Sequence, residues 1–154
     1  MSIELTVRVP VDGLPTPQQW QAAISDHGFK LVLDTDLDMQ DFSGYLPCEI
    51  DRVSSGFEYY WGRRDHLSES QESVVTLVTH SDLLEFLCAA IAAAVLASVS
   101  EGILEDPQQG QSWGGEQAVD WARQVEREVT ASQEAQSSTD AARGTRRRPW
   151  WRFW

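Results

Sequence analysis

DLLEFLCAAIAAAVLASV, Asp82 to Val99, is the one long apolar run in the chain, and its reading decides the fold. At helical spacing Leu83, Leu87, Ile91, Val95 and Val99 recur every four residues, with Leu84, Cys88 and Leu96 beside them, so one broad face is apolar. Ala89, Ala93 and Ala97 form a third row, small enough for a neighbouring element to approach closely. A helix apolar nearly all round is either buried in a core or spans a membrane. A span needs ~20 apolar residues; this run is shorter and carries Glu85, which favours burial. Thr79 to Asp82 supplies candidate caps, with Asp82 well placed against the helix dipole.

Working outward, Ile3, Leu5, Val7 and Val9 alternate with polar residues and predict a strand with one buried face. In PTPQQWQAAISDHG, Thr16 and Gln19 form a capping box and Pro17 suits the first helical position. Trp20, Ala23, Ile24 and His27 share a face of that helix, and Gly28 ends it. Phe29, Leu31 and Leu33 predict a second strand. GYLPCEI (44–50) and GFEYYW (56–61) predict two more, joined by a hairpin connection over Asp51 to Ser55. Pro47 cannot donate to a ladder and suggests an edge or a bulge. VVTLV (74–78) leads into the long helix. GILED (102–106) reads as a short edge strand, and 107–115 as a Gln/Gly-rich loop. From Glu116, the stripe Ala118, Trp121, Ala122, Val125 and Val129 predicts a last amphipathic helix. Past Ala131 the apolar residues vanish, and that composition does not repay its ordering entropy. The expectation is an α+β domain over 1–131, with a mainly antiparallel sheet packed on a long buried Ala-rich helix and two amphipathic helices, followed by a flexible, disordered basic tail over 132–154.

The 154 residues carry a net charge of −12, unevenly spread. Residues 1–133 hold 7 Arg and Lys against 22 Asp and Glu, a net −15; residues 134–154 hold 5 Arg against 2 acids, a net +3. An acidic body repels phosphates, which argues against a nucleic-acid surface and suits a basic protein partner. MSIELTVRV reads as a strand rather than a signal peptide, so a cytoplasmic location is expected. Cys48 and Cys88, both in apolar contexts, read as buried free thiols.

No motif names a reaction. Asp34, Asp36 and Asp38 occupy the first three ligand positions of a calcium loop, but Met39 stands where that loop needs glycine and Tyr45 where it needs glutamate. With Asp41 they form a dense negative patch fit to dock an Arg/Lys-rich surface. No zinc-ligand spacing, nucleophile elbow or phosphate loop occurs, so no metal or cofactor is expected. A catalytic alternative gathers Glu58, His80 and Asp82 into one site of a small enzyme or accessory subunit. Its simpler counterpart makes His80 a packing residue at the helix start. In GFEYYW, Phe57 and Tyr59 point one way and Glu58 and Tyr60 the other; an exposed Glu58 with Tyr60 would be a typical binding hot spot.

The chain ends RRRPWWRFW. Arg146, Arg147, Arg148, Trp150, Trp151 and Trp154 resemble, in composition, short Trp/Arg-rich membrane-active peptides. That implies a membrane-peripheral adaptor as a further alternative, or a tail that docks on a partner or on the acidic body itself. In length, acidity and strand–helix pattern, with the DTDLDMQD loop and the GFEYYW strand as contact surface, the chain resembles bacterial immunity proteins. The resemblance is at the level of class. It implies a protein, not an enzyme, that binds and neutralises a cognate basic toxin domain through Asp34, Asp36, Asp38, Asp41, Glu58 and Tyr60, in competition between bacteria.

Overall fold

The computed structural model describes residues 2–10, 12–63, 72–80 and 82–143. Its elements run β1 (Ser2–Val9), α1 (Pro17–Asp26), β2 (Leu31–Leu33), β3 (Gly44–Ile50), β4 (Val53–Arg63), β5 (Ser73–His80), α2 (Leu83–Ser100), β6 (Ile103–Asp106), β7 (Gln111–Gly114) and α3 (Gly115–Arg143). The strands form one sheet in the order β2-β3-β4-β5-β1-β6-β7, every neighbouring pair antiparallel. The α+β class and the long buried helix are as the sequence predicts.

α2 is the centre of the core. Phe86 to Ala97 are all buried, because the sheet lies against one side of the helix while α1 and α3 pack on it from the others. It is long and apolar enough to cross a membrane, but that surface is spent inside the protein. The Asp82 carboxylate caps its start by accepting the Glu85 N–H at 3.0 Å. At its end Glu101 takes the left-handed conformation at φ 59°, and the Gly102 N–H reaches back to the Ala97 carbonyl at 2.8 Å. Gly102 is required by close packing: a Cβ there would lie 2.2 Å from the Arg8 carbonyl oxygen of β1.

α1 starts as predicted, with both arms of the capping box formed: Thr16 N–H to Gln19 Oε1 at 2.9 Å and Gln19 N–H to Thr16 Oγ1 at 3.1 Å. Its fully buried Trp20 donates Nε1–H to the Ala92 carbonyl of α2 at 3.0 Å. That bond satisfies the one polar atom the indole brings into the core. α3 contributes Ala118, Ala122, Val125 and Val129, all buried. Cys48 and Cys88 are buried free thiols that face each other across the β3–α2 interface.

Several expected boundaries move. The connection between β3 and β4 is only Asp51-Arg52, both at positive φ (48° and 67°), as a two-residue hairpin turn of the twist-matched kind requires. β4 therefore begins at Val53 rather than Gly56. Pro47 lies in an interior strand, at the end of the β2–β3 ladder: its carbonyl accepts the Asp34 N–H at 3.1 Å, and with no N–H to return it the pairing stops there. β6 is not an edge, because the segment read as a Gln/Gly loop contains β7 and covers it. α3 continues beyond Ala131 to Arg143, where the composition suggested the helix would stop. Arg146 to Trp154, and with them the expected tail contacts, lie outside the described residues.

Candidate functional site: an open acidic sheet face

Alternation along each strand sends one set of side chains to the helices and leaves the other set uncovered. Antiparallel register arranges the uncovered set in rows. Tyr45 of β3 stands opposite Glu58 of β4, which stands opposite Val78 of β5, which stands opposite Glu4 of β1. Tyr60, Thr76, Thr6 and Glu105 make the next row. Glu49 stands opposite exposed Val32 of β2.

Tyr45 is 55% exposed and Tyr60 39%. Tyr60 is held in place. The Tyr60 hydroxyl donates to Glu58 Oε1 at 2.5 Å. The Tyr45 ring lies across Gly56, whose missing side chain makes room for it. Glu58 Oε2 contacts His80 Nε2 from the other side. The Glu58 carboxyl is held below the usual carboxylate range, first by the Tyr60 hydroxyl and then by the His80 ring. The same bond pushes the Tyr60 hydroxyl up, since losing its proton would set two anions side by side.

The face carries four carboxylates, Glu4, Glu49, Glu58 and Glu105, against Arg8 and His80. Arg8 is committed to an ion pair with Glu105. Glu4 and Glu49, on exposed positions, keep the face negative.

Of the residues singled out in the sequence, Glu58 and Tyr60 are therefore brought together on this face. Asp34, Asp36, Asp38 and Asp41 are also exposed, but their loop is anchored on the helix side of the sheet. Met39 is buried there, its carbonyl accepts the Tyr59 hydroxyl at 2.6 Å, and the Phe42 ring packs 6.1 Å from that of Tyr59. Tyr59 and Tyr60 point to opposite faces, so Asp38, beside the Tyr59 hydroxyl, lies away from Tyr60, whereas Asp34 stands opposite Pro47 in the continued β2–β3 register. Two of the four aspartates also serve the loop itself. Asp34 Oδ1 accepts the Asp36 N–H at 3.0 Å, and Asp38 Oδ1 accepts the amides of Gln40 and Asp41.

The alternative trio does not converge as drawn. His80 is the last residue of β5, not a helix-start residue, and its side chain meets Glu58 on the open face while 63% exposed. Asp82 is engaged as the cap of α2. Glu85 stands nearer, its Oε1 accepting the His80 backbone N–H at 3.3 Å. No group of three or more His, Cys, Asp or Glu among the described residues is placed to hold a metal. Tyr45, Glu49 and Glu4 were not singled out in the sequence. The signal for them was present: in GYLPCEI, burying Leu46, Cys48 and Ile50 sends Tyr45 and Glu49 outward.

No protein-family model matches the chain, and comparison with curated proteins and with solved structures yields no match.

Proposed function

We propose that this chain is an acidic protein-binding module whose open sheet face seats a basic protein, in the manner of an immunity protein that neutralises a toxin in the cytoplasm of the cell carrying both. One observation carries the reading. All three helices pack on one side of a seven-stranded sheet, and the uncovered side presents Tyr45 and Tyr60 among four carboxylates, of which Glu4 and Glu49 have no salt bridge among the described residues. Rigid amphipathic tyrosines in a charged surround supply contact area at little entropic cost. The carboxylates steer a positively charged partner and make its association fall with salt.

The test is co-expression with the protein encoded next to it, followed by purification of the pair. Glu58→Lys and Tyr45→Ala should each release the partner while leaving the thermal midpoint within a few degrees. Retention of the partner by both variants would refute the assignment of this face. The Glu58–His80 contact supports a second reading, a small enzyme moving a proton at that pair. It requires a turnover that His80→Gln abolishes and that the unmodified chain sustains without any partner.

A further inference from the structure

On the helix side of the sheet, the β6–β7 hairpin and α3 bound a cleft of about 350 Å³ that plays no part in the open face. Its wall is aromatic. The Trp113 and Trp121 rings stack 4.6 Å apart at 20°, and Phe86 of α2 stands edge-on behind Trp121 at 6.4 Å. Val125 adds an apolar patch. The remaining lining consists of the carboxylates of Asp106 and Glu128 and of three glutamines, with no lysine or arginine among them. Asp106 is only 7% exposed and is fixed in place, its Oδ1 accepting the amides of Gln108 and Gln109. Arg123 of the same helix does not neutralise the cleft. It donates to the His27 carbonyl at 3.1 Å, lies over the Phe29 ring and pairs with Asp120.

We infer that this cleft is a binding site for an arginine side chain. Indole faces attract cations, and two carboxylates with no salt-bridge partner among the described residues add charge of the right sign. The geometry selects guanidinium over ammonium. A flat, delocalised cation stacks on an indole plane, and its five donors match a lining rich in acceptors, whereas a lysine ammonium is a compact, strongly hydrated point charge. A quaternary ammonium has no donors to give the carboxylate oxygens that the Gln108, Gln109 and Gln124 amides leave available. The volume exceeds that of a guanidinium alone and falls within the range of ligand clefts, leaving room for the arginine's flanking backbone against the glutamine amides. Such an arginine could come from another protein or from Arg146, Arg147 or Arg148 of this chain. The inference does not rest on the open-face reading.

The full chain tests it. N-acetyl-arginine amide is titrated while the indole N–H resonances of Trp113 and Trp121 are followed by ¹H–¹⁵N NMR, with N-acetyl-lysine amide as comparison. The same titration is run on the full chain carrying Arg146→Gln, Arg147→Gln and Arg148→Gln. Saturable shifts in the unmodified chain assign the cleft to an external arginine. Shifts that emerge only in the triple variant assign it to the chain's own arginines. In either case Glu128→Gln, at an exposed position that folding does not need, should weaken binding by roughly three- to tenfold, while Glu126→Gln leaves it unchanged. Absence of shifts in both chains, equal response to the lysine compound, or indifference to Glu128→Gln would each overturn the inference.

Discussion

The placement of Tyr45 over Gly56 makes a quantitative prediction, because it ties the open face to a residue with no side chain. A methyl group at position 56 would sit 2.3 Å from Tyr45 Cζ, 2.4 Å from its hydroxyl oxygen and 2.8 Å from the Leu46 carbonyl oxygen. The first two contacts are with the far end of a side chain, and turning the ring out of its rotamer costs ~0.5–1.5 kcal/mol. The third is with a backbone atom, closer than a Cβ packs, so β3 itself must shift, which places the total within the ~1–3 kcal/mol range of overpacked sites. Against this, alanine in a strand gains ~0.5–1 kcal/mol over glycine. Gly56→Ala should therefore destabilise by about 1 kcal/mol or more, lowering the melting temperature of a domain this size by at least ~2–4 °C. In a Tyr45→Ala background the ring is gone while the Leu46 carbonyl contact remains, so the same substitution should cost about 1 kcal/mol less than in the parent. The double-mutant cycle thus predicts a coupling of about 1 kcal/mol, read from urea midpoints at constant m-value. An equal cost in both backgrounds would refute the placement of the ring. Gly56→Ala should also weaken partner binding, since it displaces Tyr45.

Three further outcomes follow from the same geometry. Gly102→Ala drives a Cβ onto the Arg8 carbonyl, a backbone atom that has nowhere to go; it should cost about 3 kcal/mol or more, seen in urea unfolding, and loosen the β6–β7 hairpin in amide exchange. Tyr60→Phe removes the first cause holding Glu58 below the usual carboxylate range, so its carboxyl midpoint followed by ¹³C NMR should rise. A lowered folded midpoint stabilises above the unfolded value and is lost as pH falls through the folded one, so this variant should lose less of its stability on acidification than the parent. The Cys48 thiol is pushed up by the neighbouring Cys88 thiol and by burial, so it should react with a disulfide reagent only as fast as the chain opens, with full reactivity of both thiols in denaturant.

The core was legible because its periodicities were unmixed. Leu83, Leu87, Ile91 and Val95 repeat at helical spacing, and Ile3, Leu5, Val7 and Val9 at strand spacing. What escaped depends on partners distant in sequence. Gln111-Ser112-Trp113-Gly114 has little strand propensity of its own; β7 forms because β6 offers a ladder and Trp113 stacks on Trp121. The Asp51-Arg52 turn lacks the glycine that advertises such hairpins, so the polar start of β4, Val53-Ser54-Ser55, read as a loop. α3 outlasts its apolar stripe because alanine, glutamine and glutamate favour a helix whether or not they bury anything. The site divides in the same way. Tyr60 beside Glu58 was visible in one strand's alternation. The separation of Asp38 from that pair was not, since it depends on Tyr59 reaching Met39 on the opposite face.

The measurement closest to the central claim is hydroxyl-radical footprinting of the chain, alone and in complex with the protein encoded beside it. Tyr45 and Tyr60 are exposed in the free chain and should lose most of their oxidation in the complex. The half-buried Trp113 and Trp121, outside the open face, should be unaffected by occupancy of that face. Unchanged oxidation of both tyrosines in a stable complex would contradict the account.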